Sequence, residues 1–158
     1  MDNMKDILNF KPMYFRRKPQ QMSMDFNEFQ LSSEIFGQIV ESVNYLHNRQ
    51  KPIIHRNLKP INIMVSISEQ RVKLKLTSFT QATFSSRTEE PVTHTIGIGS
   101  LGYSAPEVFS NKYNFKCDVY SLGAIAQEIF DFSMNRLLSI LKKIKIMLQQ
   151  NIFNPVQC

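Results

Sequence analysis

The chain has 158 residues, enough for one domain with its own core and too few for two. With 42% apolar and 20% charged residues, five Gly and seven Pro, it is neither disordered nor collagen-like. The net charge of +6, from 19 basic against 13 acidic residues, is spread over short groups (Arg16-Arg17-Lys18, Lys73 with Lys75, Lys142-Lys143 with Lys145) without a nucleic-acid-binding motif, so no nucleic-acid partner is expected.

No stretch reaches the length of a membrane span, and no apolar run follows the mixed-charge start Met1-Asp2-Asn3-Met4-Lys5-Asp6 as it would in a secretory signal. Two cysteines, Cys117 and Cys158, are too far apart to form a C-x-x-C pair. The expectation is a cytoplasmic chain in a reducing compartment, with no membrane contact.

Residues 1–10 read as a first helix with Met4, Ile7 and Leu8 on one face, stopped by Pro12. Residues 11–25, polar and basic with Pro12 and Pro19, read as an insert. A long helix is expected over 27–48, where Ile35, Ile39, Val43 and Leu46 recur at helical spacing and Phe36 and Val40 widen the stripe. Two short strands, 62–67 and 72–77, form one hairpin around Ser68-Glu69-Gln70. Residues 78–103 look irregular, with Ser, Thr and Gly prominent. The apolar run 118–130 predicts a buried central helix, and Leu137, Leu141, Ile144 and Leu148 predict a last amphipathic helix over 134–150. Its lysines suit a membrane surface or a calmodulin-type partner, but docking on the rest of the domain is the more ordinary fate of such a helix. The fold class is mainly α with a small hairpin.

The chemistry concentrates in 53–63, which contains Ile54-His55-Arg56-Asn57-Leu58-Lys59-Pro60-Ile61-Asn62. This resembles the protein-kinase catalytic loop H-R-D-L-K-P-x-N at every motif position except the third. The likeness continues in order. Lys75-Leu76-Thr77-Ser78-Phe79-Thr80 sits where the metal-binding D-F-G follows a strand, Tyr103-Ser104-Ala105-Pro106-Glu107 matches the A-P-E end of an activation segment, and Asp118-Val119-Tyr120-Ser121-Leu122-Gly123 matches the opening of the buried C-lobe helix. The Leu-Lys-Pro form of the loop is similar to Ser/Thr kinases, and the texture around Tyr45-Leu46-His47 is similar to the translation-initiation-factor kinases.

The resemblance implies an α+β kinase fold of which this chain carries the C-lobe, with the N-lobe and its Gly-rich loop, lysine and glutamate absent. The family uses ATP and Mg²⁺; for this chain neither is expected as a working cofactor. Asn57 stands at the position of the catalytic aspartate, and its amide can orient a hydroxyl but not take its proton. Ser78 replaces the D-F-G carboxylate, so a metal site built from Asn62 and Ser78 would be weak or absent. Lys59 and Asn62 match a phosphate-contacting and a metal-contacting position. His55, Arg56, Phe79 and Asp118 match fold-holding positions. His55 reads as a packed core residue rather than an acid–base group, Asp118 as a helix N-cap that by the resemblance also hydrogen-bonds the catalytic-loop backbone, and Asn57 and Asn62 read alternatively as plain loop residues.

In the activation-segment-like stretch 78–107, Thr95 lies where a phosphate would pair with Arg56, Ser100 matches the hydroxyl that faces the catalytic loop, and Glu107 matches a residue that pairs with an arginine from a later helix. Gly97-Ile98-Gly99-Ser100-Leu101-Gly102 fits G-x-G-x-x-G, but it follows the catalytic loop and lacks the flanking strand and helix of a nucleotide site.

The reading is a catalytically inactive, pseudokinase-type interaction module. Two alternatives stand beside it: part of an active Ser/Thr kinase whose N-lobe lies elsewhere, and a degenerate product. A protein partner or self-association is expected through the cleft face, where Phe79, Ile63 and Val65 would leave an apolar patch.

Overall fold

A computed structural model describes residues 2–18, 24–68, 71–85 and 90–131. The expected helix over 134–150 lies outside these residues. In chain order the elements are β1 (Asp2–Asn3), α1 (Met4–Tyr14), α2 (Phe26–His47), β2 (Ile53–Ile54), β3 (Ile63–Ser68), β4 (Arg71–Leu76), β5 (Thr83–Phe84), β6 (Val92–Thr93), β7 (Lys112–Tyr113) and α3 (Lys116–Ile129), with 3-10 turns at Pro60–Asn62, Phe79–Gln81 and Pro106–Ser110.

Helix α1 begins where the Asn3 side chain accepts the Asp6 amide at 3.0 Å. It does not stop at Pro12, as the sequence suggests, but runs to Tyr14 with the proline inside it. Pro12 has no N–H for the Leu8 carbonyl. Part of what holds the last turn is Lys11, whose ammonium reaches the Ile129 carbonyl at 2.5 Å. The expected insert over 11–25 is therefore helical at its start.

Helix α2 is capped by Asp25, which accepts the Glu28 amide at 2.8 Å. Its buried line is Glu28, Ser32, Ile35, Ile39 and Val43, while Val40, expected on the apolar stripe, is exposed. Helix α3 buries Cys117, Asp118, Ser121, Leu122, Ile125 and Ile129. Its opposite side leaves Val119 and Tyr120 exposed, so the helix expected to be buried all round is covered on one face only.

The hairpin pairs β3 with β4 from Ile63↔Leu76 to Ser68↔Arg71, and β1 adds to the free edge of β3 through Asp2↔Val65 and Asn3↔Met64. Two further antiparallel pairs, β2 with β5 and β6 with β7, were not expected; with two residues per strand they are too short to leave a periodicity. The main core gathers Met4 of α1, Ile35, Ile39 and Val43 of α2, Leu122, Ile125 and Ile129 of α3, Ile63, Val65 and Val72 of the hairpin, and Leu58. A smaller cluster joins Ile54, Ala105, Val108, Tyr113 and Cys117.

The expected cleft patch is corrected here. Ile63 and Val65 alternate inward along β3 and are fully buried. Phe79 alone of the three stays open, at 43% exposure. Among the described residues, no helix is long and apolar enough to cross a membrane.

Candidate functional site

The site is built around one buried carboxylate. Asp118, in the first turn of α3, accepts the amide of His55 at 2.8 Å on one oxygen and that of Arg56 at 2.9 Å on the other. The His47 ring, from the last turn of α2, lies 2.9 Å from the first of these oxygens. These bonds hold the loop in a shape in which Arg56 takes a left-handed backbone, φ 62°. A non-glycine residue adopts that region at a cost of about 1–2 kcal/mol, and the two amide bonds to Asp118 offset it.

The His55 ring fills the space behind the loop. Its Nε2 lies 3.0 Å from the Thr77 carbonyl and its Nδ1 accepts the Asn57 amide at 3.3 Å, which fixes the tautomer with the proton on Nε2. Burial pushes its pKa down, against the opposing pull of Asp118. The ring packs on Phe79 with centroids 4.7 Å apart. His55 is thus a neutral packing residue that connects the loop to the segment after β4.

Asn57, Lys59, Asn62 and Ser100 converge. The Lys59 ammonium donates to the Ser100 hydroxyl at 2.7 Å, and that hydroxyl donates to the Asn57 side-chain oxygen at 3.3 Å. The Asn62 side-chain amide donates to the Asn57 carbonyl at 2.8 Å, and the Asn62 carbonyl receives both the amide and the hydroxyl of Thr77. The late segment comes this close to the loop because of Gly99. A methyl there would stand 2.3 Å from the Ser104 hydroxyl and 3.0 Å from the Arg56 carbonyl, and φ is 102°. In the stretch 97–102 no helix opens at the glycines; bends and turns lead on to the 3-10 turn at 106–110. This is not the frame of a dinucleotide site.

Ser78 sits in left-handed backbone, φ 63° and ψ 51°, and its side chain caps nothing. At the two positions where the resemblance expects metal ligands stand the neutral side chains of Asn62 and Ser78. Hard divalent cations select anionic oxygens, so these residues do not fit Mg²⁺. Among the described residues no cluster of three His, Cys, Asp or Glu side chains is placed to hold a metal.

Arg56 and Thr95 are joined through one hydroxyl. Arg56 donates to the Tyr113 oxygen at 3.1 Å and to the Gln81 carbonyl at 2.5 Å, and Tyr113 donates to the Thr95 carbonyl at 2.9 Å. Thr95 is exposed. Glu107 is half-buried in the 3-10 turn, close enough to Cys117 to help burial raise that thiol's pKa.

Sequence reasoning missed His47, Gln81 and Tyr113, which orient the loop, and also an ion cluster at the other end of the domain, where α2 starts and α3 ends. The fully buried Glu28 is paired with Lys11 at 3.2 Å and held by two hydrogen bonds from Arg17, which also reaches Asp131. The hydrogen bond to Glu28 raises the Arg17 pKa, whereas burial lowers that of Lys11. Arg17 thus holds its charge firmly, and Lys11 depends on its carboxylate neighbours. Nearer the start of α1, Lys5 pairs with Glu128 at 2.8 Å and the Tyr103 hydroxyl donates to the same carboxylate.

Comparison with known proteins identifies relatives of this chain. The protein kinase domain family matches residues 7–153. Eukaryotic translation initiation factor 2-alpha kinase 3 of Rattus norvegicus is 31% identical over 153 residues, covering 88% of this chain and 12% of that protein. Eukaryotic translation initiation factor 2-alpha kinase 1 of Mus musculus is 37% identical over 108 residues, 63% of this chain and 17% of its own length. Mitogen-activated protein kinase kinase 2 of Arabidopsis thaliana is 36% identical over 102 residues, 61% of this chain and 25% of its own length. The chain therefore spans a quarter or less of each of these relatives. With the family match over nearly its whole length and the loop, the Asp118 anchor and the facing Ser100 assembled, the chain belongs to the protein kinase superfamily.

Proposed function

We propose that this chain is the C-lobe part of a kinase fold that has kept the architecture of the catalytic loop and lost its chemistry, and that it acts inside the cell as an interaction module. The observation that carries this is Asn57. It stands in a loop anchored by Asp118, and its side-chain oxygen accepts from the Ser100 hydroxyl, yet its amide cannot accept a proton. Loss of a general base costs about 10²–10⁴ in rate. Ser78 removes the metal-binding carboxylate as well, and phosphoryl transfer relies on positioning and charge stabilisation by groups that include that metal.

The expected result is no transfer of radiolabelled phosphate from Mg-ATP to the chain itself or to generic Ser/Thr substrates. The double change Asn57→Asp with Ser78→Asp is expected to remain inactive, because the phosphate-gripping lysine and the Gly-rich roof belong to the other lobe. Incorporation by the unaltered chain that disappears with Asn57→Ala would overturn this reading. The Lys59–Ser100–Asn57 contacts favour a second reading, part of a working kinase, in which a Gly-rich loop and strand lysine would be encoded upstream.

The proposed partner surface is an open groove of about 430 Å³ in which Tyr45, Leu46, Leu74, Leu76 and Phe79 supply the apolar lining and Glu41, Ser42 and Lys75 the polar one. Its occupant would be the apolar underside of an N-lobe, supplied by the longer protein or by another chain. Phe79→Ser is expected to reduce both self-association in light scattering and the binding of an apolar dye. Unchanged association and dye binding would place the partner surface elsewhere.

A further inference from the structure

We propose that His94 is a proton-sensitive latch: uncharged, it closes the clasp by which β7 holds residues 92–95, and taking up a proton opens it. The clasp is small. It consists of the pairs Val92↔Tyr113 and Thr93↔Lys112, the His94 amide donating to the Asn111 carbonyl at 2.8 Å, and the Tyr113 hydroxyl donating to the Thr95 carbonyl at 2.9 Å. The His94 ring packs on the Tyr113 ring with centroids 4.8 Å apart. Its Nε2 is buried and has no hydrogen-bond partner. A neutral ring leaves a lone pair there, whereas a charged ring would put an N–H bond there with no acceptor.

The surroundings give such a charge nothing to pair with. Arg56, from the loop, donates to the Tyr113 oxygen at 3.1 Å and brings its own positive charge to the clasp. Strand β7 adds Lys112 and the neutral Tyr113. Among the described carboxylates none acts on His94, although Glu107 of the 3-10 turn and Asp118 of α3 both act on Cys117. The Tyr113 ring attracts a charged imidazole weakly, but it offers no acceptor to the buried nitrogen. Burial, and then Arg56, hold the His94 pKa below the ordinary histidine value. The closed clasp therefore binds fewer protons than the open one, and closure weakens as pH falls through the ordinary value of about 6.5.

The opening is local. Gly97, with φ 68° and no atom within 4 Å of where a Cβ would stand, supplies a pivot just past the clasp. Beyond it the Gly99 amide donates to the Gln81 side chain at 3.1 Å, and the amides of Tyr103 and Ser104 turn back to the Ser100 carbonyl. These bonds keep the Ser100 end in place while residues 92–95 swing away.

Hydrogen–deuterium exchange of the full chain tests this, each rate being divided by the intrinsic rate at its own pH. From about pH 7.5 to about pH 5.5, opening at the His94 amide is expected to rise severalfold, toward the limit of about tenfold that one proton at an ordinary histidine pKa allows. The amides of Ile39 and Val43 in the core should not follow it. His94→Phe, which keeps a ring against Tyr113, should remove the rise at position 94, and so should His94→Gln, which stays polar but takes no charge. His47 and His55 remain in both variants, so a rise that persists in either belongs to them and overturns the proposal. An opening at the clasp that does not change with pH, or one matched by Ile39 and Val43, would overturn it as well.

Discussion

Replacing Asp118 with alanine is expected to lower the stability of the domain by about 3–5 kcal/mol, the usual cost of removing one partner from a buried charged network. The His55 and Arg56 amides would lose their acceptor, and the left-handed turn at Arg56 its support. Domain stabilities run to about 5–15 kcal/mol, so much of the margin would be lost. In a chain of this size the loss corresponds to a fall in melting temperature of roughly 6–20 °C, at about 2–4 °C per kcal/mol. Asp118→Asn should fall between the two, since one amide oxygen remains but the NH2 group must face a donor. Thermal unfolding followed by circular dichroism decides it, and a shift below about 2 °C for Asp118→Ala would show that the loop is held by packing instead.

Glu28→Ala is expected to be almost as costly. It removes the fully buried anion and leaves Lys11, itself only 7% exposed, and Arg17 to share Asp131. Breaking such a pair costs about 3–5 kcal/mol, whereas replacing buried charges by apolar groups of similar volume is often neutral or stabilising. Glu28→Met combined with Lys11→Met and Arg17→Leu should therefore recover most of what Glu28→Ala loses. Urea titration of the single and triple variants gives the comparison. A triple variant no more stable than Glu28→Ala would mean that the charges fix the angle between α1 and α2 in a way that apolar side chains cannot replace.

The two networks differ in how far the sequence announced them. The Asp118 hub was legible because the order of motifs placed Asp118 after the loop, and a resemblance supplied its role. His47 was not, because a histidine at the end of a striped helix has the same sequence signature whether it faces solvent or a carboxylate. The ion cluster left a signal that periodicity alone could have given. Glu28 lies in line with the buried positions 32, 35, 39 and 43 of α2, and Lys11 in line with Met4 and Leu8 of α1. A charge in register with an apolar face demands a partner. The continuation of α1 through Pro12 was not legible, because it depends on Lys11 contacting α3, far away in sequence. Nor was the burial of Ile63 and Val65, which the helices packed over the hairpin decide.

The Asp118 hub also sets the order of assembly. The partners of its carboxylate lie 63, 62 and 71 residues earlier in the chain, at His55, Arg56 and His47. Helix α2 and the β3–β4 hairpin need only local contacts and can form early. The loop between them cannot take its final shape until α3 has been made and has docked, which is the slow closure expected of contacts so distant in sequence. During synthesis from the N-terminus the loop residues would remain unanchored while about sixty further residues are added, several seconds at ordinary elongation rates of about 5–20 residues per second. Folding of the site is thus coupled to completion of α3, and a chain interrupted before Asp118 would carry every residue of the loop without the means to shape it.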